Sequence, residues 1–178
     1  MGKIGSAKQV KLFCGILSTN EEIDKKAIES LKNQFGAIDF QSAIMDFDYS
    51  SYYVPEMGEG IKRYWISFKP LILADEISDI KIFTNSIEDS LSINSKRHIN
   101  IDPGYITQAS VILATTKNYS HRIYLQKGIY AEVTTIYSKK EGFIKLPWSY
   151  QDYMSDTAKD FLLKARQSFL QDLKEIKI

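Results

Sequence analysis

The hydrophobic period of this chain alternates between strand-like and helix-like in a fixed order from Val10 to Asp102. Val10-Lys-Leu-Phe-Cys-Gly-Ile-Leu17 is a short apolar run, the pattern of a strand. Ile23, Ala27, Ile28, Leu31 and Phe35 then recur at helical spacing. Thr19 is the expected cap of that helix, with Glu22 three residues on, and Gly36 its stop. Ala37 to Met45 and Ile61 to Lys69 read as the second and third strands, the third closed by Pro70. Ile77, Ile80, Phe83, Ile87 and Leu91 make a second helical stripe over Asp75 to Ser92. Arg97 to Asp102 reads as a fourth strand that ends in a Pro103-Gly104 turn.

This order, strand-helix-strand-strand-helix-strand, predicts an α+β fold, a ferredoxin-like two-layer sandwich (βαββαβ). Appended to it are a helix over Thr107 to Thr116, a β-hairpin and a C-terminal helix over Ser155 to Lys174. The hairpin joins His121–Leu125 to Ile129–Tyr137 around Gln126-Lys127-Gly128. A three-residue loop with Gly128 left-handed sets Leu125 against Ile129, Tyr124 against Tyr130 and Arg122 against Glu132. A two-residue loop would set Arg122 opposite Val133. The first register separates polar from apolar and is preferred. Phe143 to Leu146 reads as a short edge strand. Asp46 to Gly60 has no period and reads as a long loop, of the kind that often carries function. A single domain is expected over 1–178, with residues 1–8 a flexible N-terminal segment.

The 178 residues carry 23 basic and 22 acidic side chains, a net charge of +1. That balance argues against a broad non-specific DNA-binding surface. Cys14 is the sole cysteine, so no internal disulfide forms; it is expected to be buried, and a cytoplasmic location fits a reduced thiol. No window approaches the roughly 18 apolar residues of a membrane span, so no membrane is expected as partner. No short His or Cys spacing suggests a metal site, and the residues specify no cofactor.

Strand alternation puts His98, Asn100 and Asp102 on one face of the fourth strand, and Arg63, Trp65 and Ser67 on one face of the third. Together with Lys117 and the hairpin pair Arg122–Glu132 these residues outline a candidate site for a nucleotide or another phosphate ligand. Arg63, Lys117 and Arg122 would meet phosphates, and Trp65, Tyr124 and Tyr130 would stack. A second reading is a phosphoester hydrolase or transferase, with His98 or His121 as general acid–base and Asp102 orienting it, His98 being the preferred one because it shares a face with Asp102. A third is an interaction protein without a small-molecule site. His121 is expected on the apolar face of the hairpin, as a core histidine. Trp148, Tyr150 and Tyr153, with Tyr49, Tyr52 and Tyr53, could wall a pocket for a flat ligand; Trp148 is also expected to anchor the tail against the core.

Two resemblances bear on function. Lys11-Leu-Phe-Cys-Gly-Ile-Leu17, followed by the helix ending Asn33-Gln-Phe-Gly-Ala-Ile38, resembles the first strand and helix of an RNA-recognition motif, which implies RNA as a partner. That family's third strand carries [KR]-G-[FY]-[GA]-F-V-x-[FY]; Lys62-Arg-Tyr-Trp-Ile-Ser-Phe-Lys69 has no glycine there. The broader match rests on Lys8-x-Val-Lys-Leu-Phe, Tyr52-Tyr-x-Pro-Glu-Met-Gly, Asn100-Ile-Asp-Pro-Gly-Tyr and Ala114-Thr-Thr-Lys. It continues in His121-Arg-Ile-Tyr-Leu, Gly128-Ile-Tyr-Ala-Glu-Val-Thr and Leu146-Pro-Trp-Ser-Tyr-x-Asp-Tyr. In these the chain resembles the bacterial family called domain of unknown function 4416. The resemblance implies no established activity; members sometimes bear the label GTP-binding protein. The chain has no G-x-x-x-x-G-K-[ST] loop and no N-K-x-D guanine motif, so a GTP site here would be unconventional.

Overall fold

A computed structural model describes residues 2–176. The elements run β1 (Gln9–Ser18), α1 (Glu21–Phe35), β2 (Ile38–Gln41), β3 (Met45–Asp46), α2 (Val54–Met57), β4 (Lys62–Leu73) and α3 (Ile77–Ser90). They continue as β5 (Ile99–Ile106), β6 (Ser110–Thr115), β7 (Ile123–Gln126), β8 (Ile129–Ser138), β9 (Gly142–Lys145) and α4 (Asp156–Glu175). Among the described residues nine strands join one sheet in the order β2-β4-β1-β5-β6-β8-β7, with β3 added to β4 and β9 to β8. Every pairing is antiparallel.

The mixed α+β class is as expected, but the sheet is larger than a two-layer sandwich and is covered on both faces. Alternation along β1 explains why. Leu12, Cys14 and Ile16 join Ile23, Ala27 and Leu31 of α1 and Ile77, Ile80 and Ile87 of α3 in one core. Phe13 points the other way, into a second core with Trp65, Tyr153 and the α4 residues Ala158, Phe161, Leu162 and Ala165. Burial pushes the Cys14 thiol pKa far above its ordinary value, so it sits as a small apolar group. Among the described residues, no helix is long and apolar enough to cross a membrane.

Several local expectations are corrected. Residues 107–116 form no helix: Ser110–Thr115 is strand β6, with the apolar run Val111-Ile112-Leu113 between β5 and β8. Thr107 builds the turn before it, its hydroxyl accepting from Ala109 N at 3.1 Å and Ser110 N at 2.9 Å. The expected second strand is split into β2 and β3. The long loop contains the one-turn helix α2, with a proline in its first turn. Asn20, not Thr19, caps α1, accepting from Glu22 N and Ile23 N. Pro70 does not close β4; it lies where the β1–β4 register shifts, a place a missing N–H is tolerated. In the hairpin, Tyr124 faces Tyr130 as expected, but Gln126, not Leu125, pairs with Ile129. The turn is Lys127-Gly128, with φ 54 and φ 77, and an irregularity between Tyr124 and Gln126 takes up the extra residue.

Candidate functional site: a cleft where two strands part

The expected Pro103-Gly104 turn is instead the middle of β5, and these two residues shape the cleft. Gly104 lets β5 approach β6, because a Cβ there would collide with the Ile112 carbonyl oxygen. The β5–β6 ladder covers only Gly104–Ile106. Ile101 turns its N–H and C=O away from β1, and two-residue alternation gives Pro103 the same orientation. Pro103 has no N–H to offer β6, and the ladder stops there. The free edge is satisfied from α3: Glu88 accepts from Ile101 N at 2.7 Å and Lys81 donates to Ile101 O at 2.9 Å. The diverging strands leave a cleft of about 840 Å³.

Arg63 of β4 and Asn100 and Asp102 of β5 floor the cleft. Register sets Asn100, Leu17 and Arg63 in one row and Asp102, Gly15 and Trp65 in the next. Gly15 gives the Arg63 guanidinium its space; a Cβ there would lie 3.0 Å from Arg63 Nη2 and 2.8 Å from the Tyr153 hydroxyl. The guanidinium lies 4.7 Å from the Trp65 ring centre and 5.1 Å from that of Tyr153, and Nη2 meets Asp152 at 2.9 Å. Burial opposes its charge, but Asp152, Tyr153 and Asp102 together raise its pKa, so it stays protonated. Among the described residues, Nε and Nη1 of Arg63, Nε1 of Trp65 and the hydroxyls of Ser78 and Tyr153 are buried without a hydrogen-bond partner; those of Arg63 and Tyr153 belong to residues that line the cleft. Such atoms are rare in folded proteins and call for an account.

The walls are tightly paired. Arg97 gives Nε and Nη2 to Glu56 at 2.6 Å each and Nη1 to Glu88 at 2.8 Å, fastening α2 to the α3–β5 side. Its hydrogen bond holds the Glu56 carboxyl below its ordinary pKa, whereas burial pushes Glu88 up. Across the cleft, Arg122 donates to Glu132 at 2.8 Å, to Lys117 O at 3.0 Å and to the Tyr150 hydroxyl at 2.8 Å. Lys117 reaches the Tyr52 hydroxyl at 2.8 Å and lowers that phenol's pKa, while burial pushes Tyr150 up to about 12.

Of the candidate residues, Arg63, Asn100, Asp102, Lys117, Arg122 and Glu132 are brought together at this cleft. Tyr52, Tyr53, Tyr150 and Tyr153 line it as well, while Tyr49 and Trp148 line a smaller groove beside it. Trp65 is fully buried beneath Tyr153 and presents no open stacking face. Tyr124 and Tyr130 pair edge-to-face on the hairpin, outside the cleft. His98 precedes β5 and turns to Thr19, its Nδ1 3.4 Å from the hydroxyl; it does not line the cleft with Asp102. His121 is not an apolar-core histidine: it lies 3.3 Å from Glu132 and stacks on Trp148 at 5.2 Å. Trp148 is part-exposed, tied by its N–H to Val133 O at 2.8 Å. Gly15, Lys81, Glu88 and Asp152 were not singled out as site residues by the sequence reading; a glycine inside a strand was the signal for Gly15, and Asp152 lies in the Ser-Tyr-x-Asp-Tyr motif.

Among the described residues no group of three or more His, Cys, Asp or Glu is placed to hold a metal ion. Comparison with the curated proteins and with the solved structures gives no match. The family model described as Domain of unknown function (DUF4416) matches residues 8–169. By that match, which spans both cores and the whole cleft, the chain belongs to this family.

Proposed function

We propose that the protein is a binding module for a phosphate-bearing small molecule, such as a nucleotide, held between β5 and β6. The observation that carries this reading is Arg63: a buried, charged guanidinium at the cleft floor whose Nε and Nη1 have no acceptor among the described residues. A phosphate oxygen supplies that acceptor, and arginine is the side chain best matched to it. A volume of about 840 Å³ is in the range of small-molecule sites. Lys117 adds a cation at the rim, and Asn100 and Asp102 offer polar groups on the floor. Glu132 aligns Arg122, and the stacking first assigned to Trp65, Tyr124 and Tyr130 passes to Tyr52, Tyr53 and Tyr150. We also read β2-β4-β1-β5 with α1 and α3 as a ferredoxin-like unit extended by β6, β7 and β8; the strand order supports it. The buried lone thiol of Cys14 supports a cytoplasmic setting.

Calorimetric titration with nucleoside mono-, di- and triphosphates, inorganic phosphate and a short RNA tests the reading. Binding of at least one phosphate ligand, weakened by Arg63→Lys, is expected. Silence from all of them up to about millimolar concentration overturns it.

A further inference from the structure

Resting on that reading, we infer that the cleft takes a ligand with a single phosphoryl group, a phosphomonoester carrying hydroxyl or amino donors, and discriminates against di- and triphosphates. The donors that line the cleft carry the argument. All three guanidinium nitrogens of Arg97 are on Glu56 and Glu88. Those of Arg122 are on Glu132, Lys117 O and Tyr150. Lys81 is held by Ile101 O at 2.9 Å and Asp102 at 3.4 Å. Lys117 lies at the exposed rim, its ammonium on the Tyr52 hydroxyl and 4.2 Å from that ring's centre. Among the described residues that line the cleft, the buried side-chain donors without acceptors are Arg63 Nε and Nη1 and the Tyr153 hydroxyl, which lies over Gly15 beside the same guanidinium; Trp65 Nε1, also unpartnered, sits beneath Tyr153 and does not line the cleft. One guanidinium and one hydroxyl suit one phosphoryl group.

The charges point the same way. Against the five cations stand six carboxylates: Glu56, Glu88, Asp89, Asp102, Glu132 and Asp152. The other buried cation, Lys81, is already held by Asp102 and Ile101 O, so a second or third phosphoryl would face carboxylates without a free buried cation to meet it, and like charges in a partly dry site repel strongly. The same carboxylates accept hydrogen bonds from the hydroxyl or amino groups of a ligand. Tyr52, Tyr53 and Tyr150 supply aromatic walls for a sugar or a flat ring.

The experiment is a competition series by calorimetry on the full chain: inorganic phosphate, ribose 5-phosphate, GMP, AMP, GDP and GTP, with and without magnesium. A phosphomonoester is expected to bind at least about tenfold more tightly than GDP or GTP in either condition, about 1.4 kcal/mol. Ribose 5-phosphate matching the nucleotides would make the sugar phosphate the recognised unit; GMP or AMP exceeding it would make the base part of recognition. Both results support the inference. GTP or GDP binding as tightly as the monophosphates overturns the inference and leaves the proposed function standing. No binding by any phosphate overturns both. Arg63 also holds Asp152, so its variants risk the fold; Tyr153→Phe keeps the ring and removes only the hydroxyl. With an unchanged circular dichroism spectrum, that variant should lose about fivefold or more in monophosphate affinity. Unchanged affinity would overturn the assignment.

Discussion

Arg63 and Lys11 are both buried cations, and they differ in how their charges are answered. Lys11 is fully enclosed and answered by Asp39 at 2.5 Å and Asp172 at 3.1 Å, a structural tie to α4. Arg63 has one carboxylate, Asp152, and two unpartnered nitrogens. Arg63→Met should destabilise the fold by about 3–5 kcal/mol in urea titration, because Asp152 would be left buried and unpaired. Adding Asp152→Asn should recover a measurable part of that loss; additive losses would show that the pair is not coupled. Strand alternation placed Arg63 and Trp65 on one face. It could not show that Tyr153 and α4 close over that face, because the contact joins residues far apart in the chain.

At the scale of elements, the cleft depends on β5 touching β6 at one end and leaving it at the other. Gly104→Ala should cost at least about 1–3 kcal/mol, since its Cβ would meet the Ile112 carbonyl, a backbone atom that cannot swing aside. A variant with unchanged urea midpoint would contradict the close approach. The opposite wall is latched by Glu56 and Arg97. The folded pKa of Glu56 is lowered, so the latch's stabilisation is present above the ordinary glutamate value and lost as pH falls through the folded one. Glu88 has a raised pKa and contributes with the opposite sign, so the control is Glu56→Gln. The pair is part-exposed and screened, worth about 1 kcal/mol at most. The amides of Val54, Glu56 and Met57 should exchange a few-fold faster once pH-corrected below the glutamate range, and Glu56→Gln should abolish that dependence. A pH-independent rate in the unsubstituted protein would remove the latch from the account.

The same elements show what the sequence could reveal. α1, α3 and α4 were legible because their stripes are long and their stops are strong. The hairpin's Arg122–Glu132 and Tyr124–Tyr130 partners were legible because one register sorts polar from apolar. β6 was not: Val111-Ile112-Leu113 is apolar without a period, and strand or helix is decided by neighbours. Pro103-Gly104 carries a turn signal, but the tertiary approach of Phe13 and Ile112 puts both residues in a strand.

At the scale of the whole molecule, a nine-stranded sheet lies between α1 and α3 on one face and α4 on the other. The cleft opens within the sheet rather than on its surface, so a ligand there bridges β4, β5 and the β6–β7 connection. Binding only to the folded state then stabilises the whole chain: at a hundredfold excess over the dissociation constant the gain is about 2.7 kcal/mol. For a chain of this size that raises the melting temperature by roughly 5–10 °C. A ligand that binds without shifting the melting temperature would bind elsewhere or weakly.

A crystal structure grown with the tightest-binding phosphomonoester would show whether Arg63 and Tyr153 receive its phosphoryl group. Phosphoryl oxygens are expected within about 3 Å of Arg63 Nε or Nη1 and of the Tyr153 hydroxyl. Density for the phosphoryl group elsewhere, with those atoms still unpartnered, would contradict it.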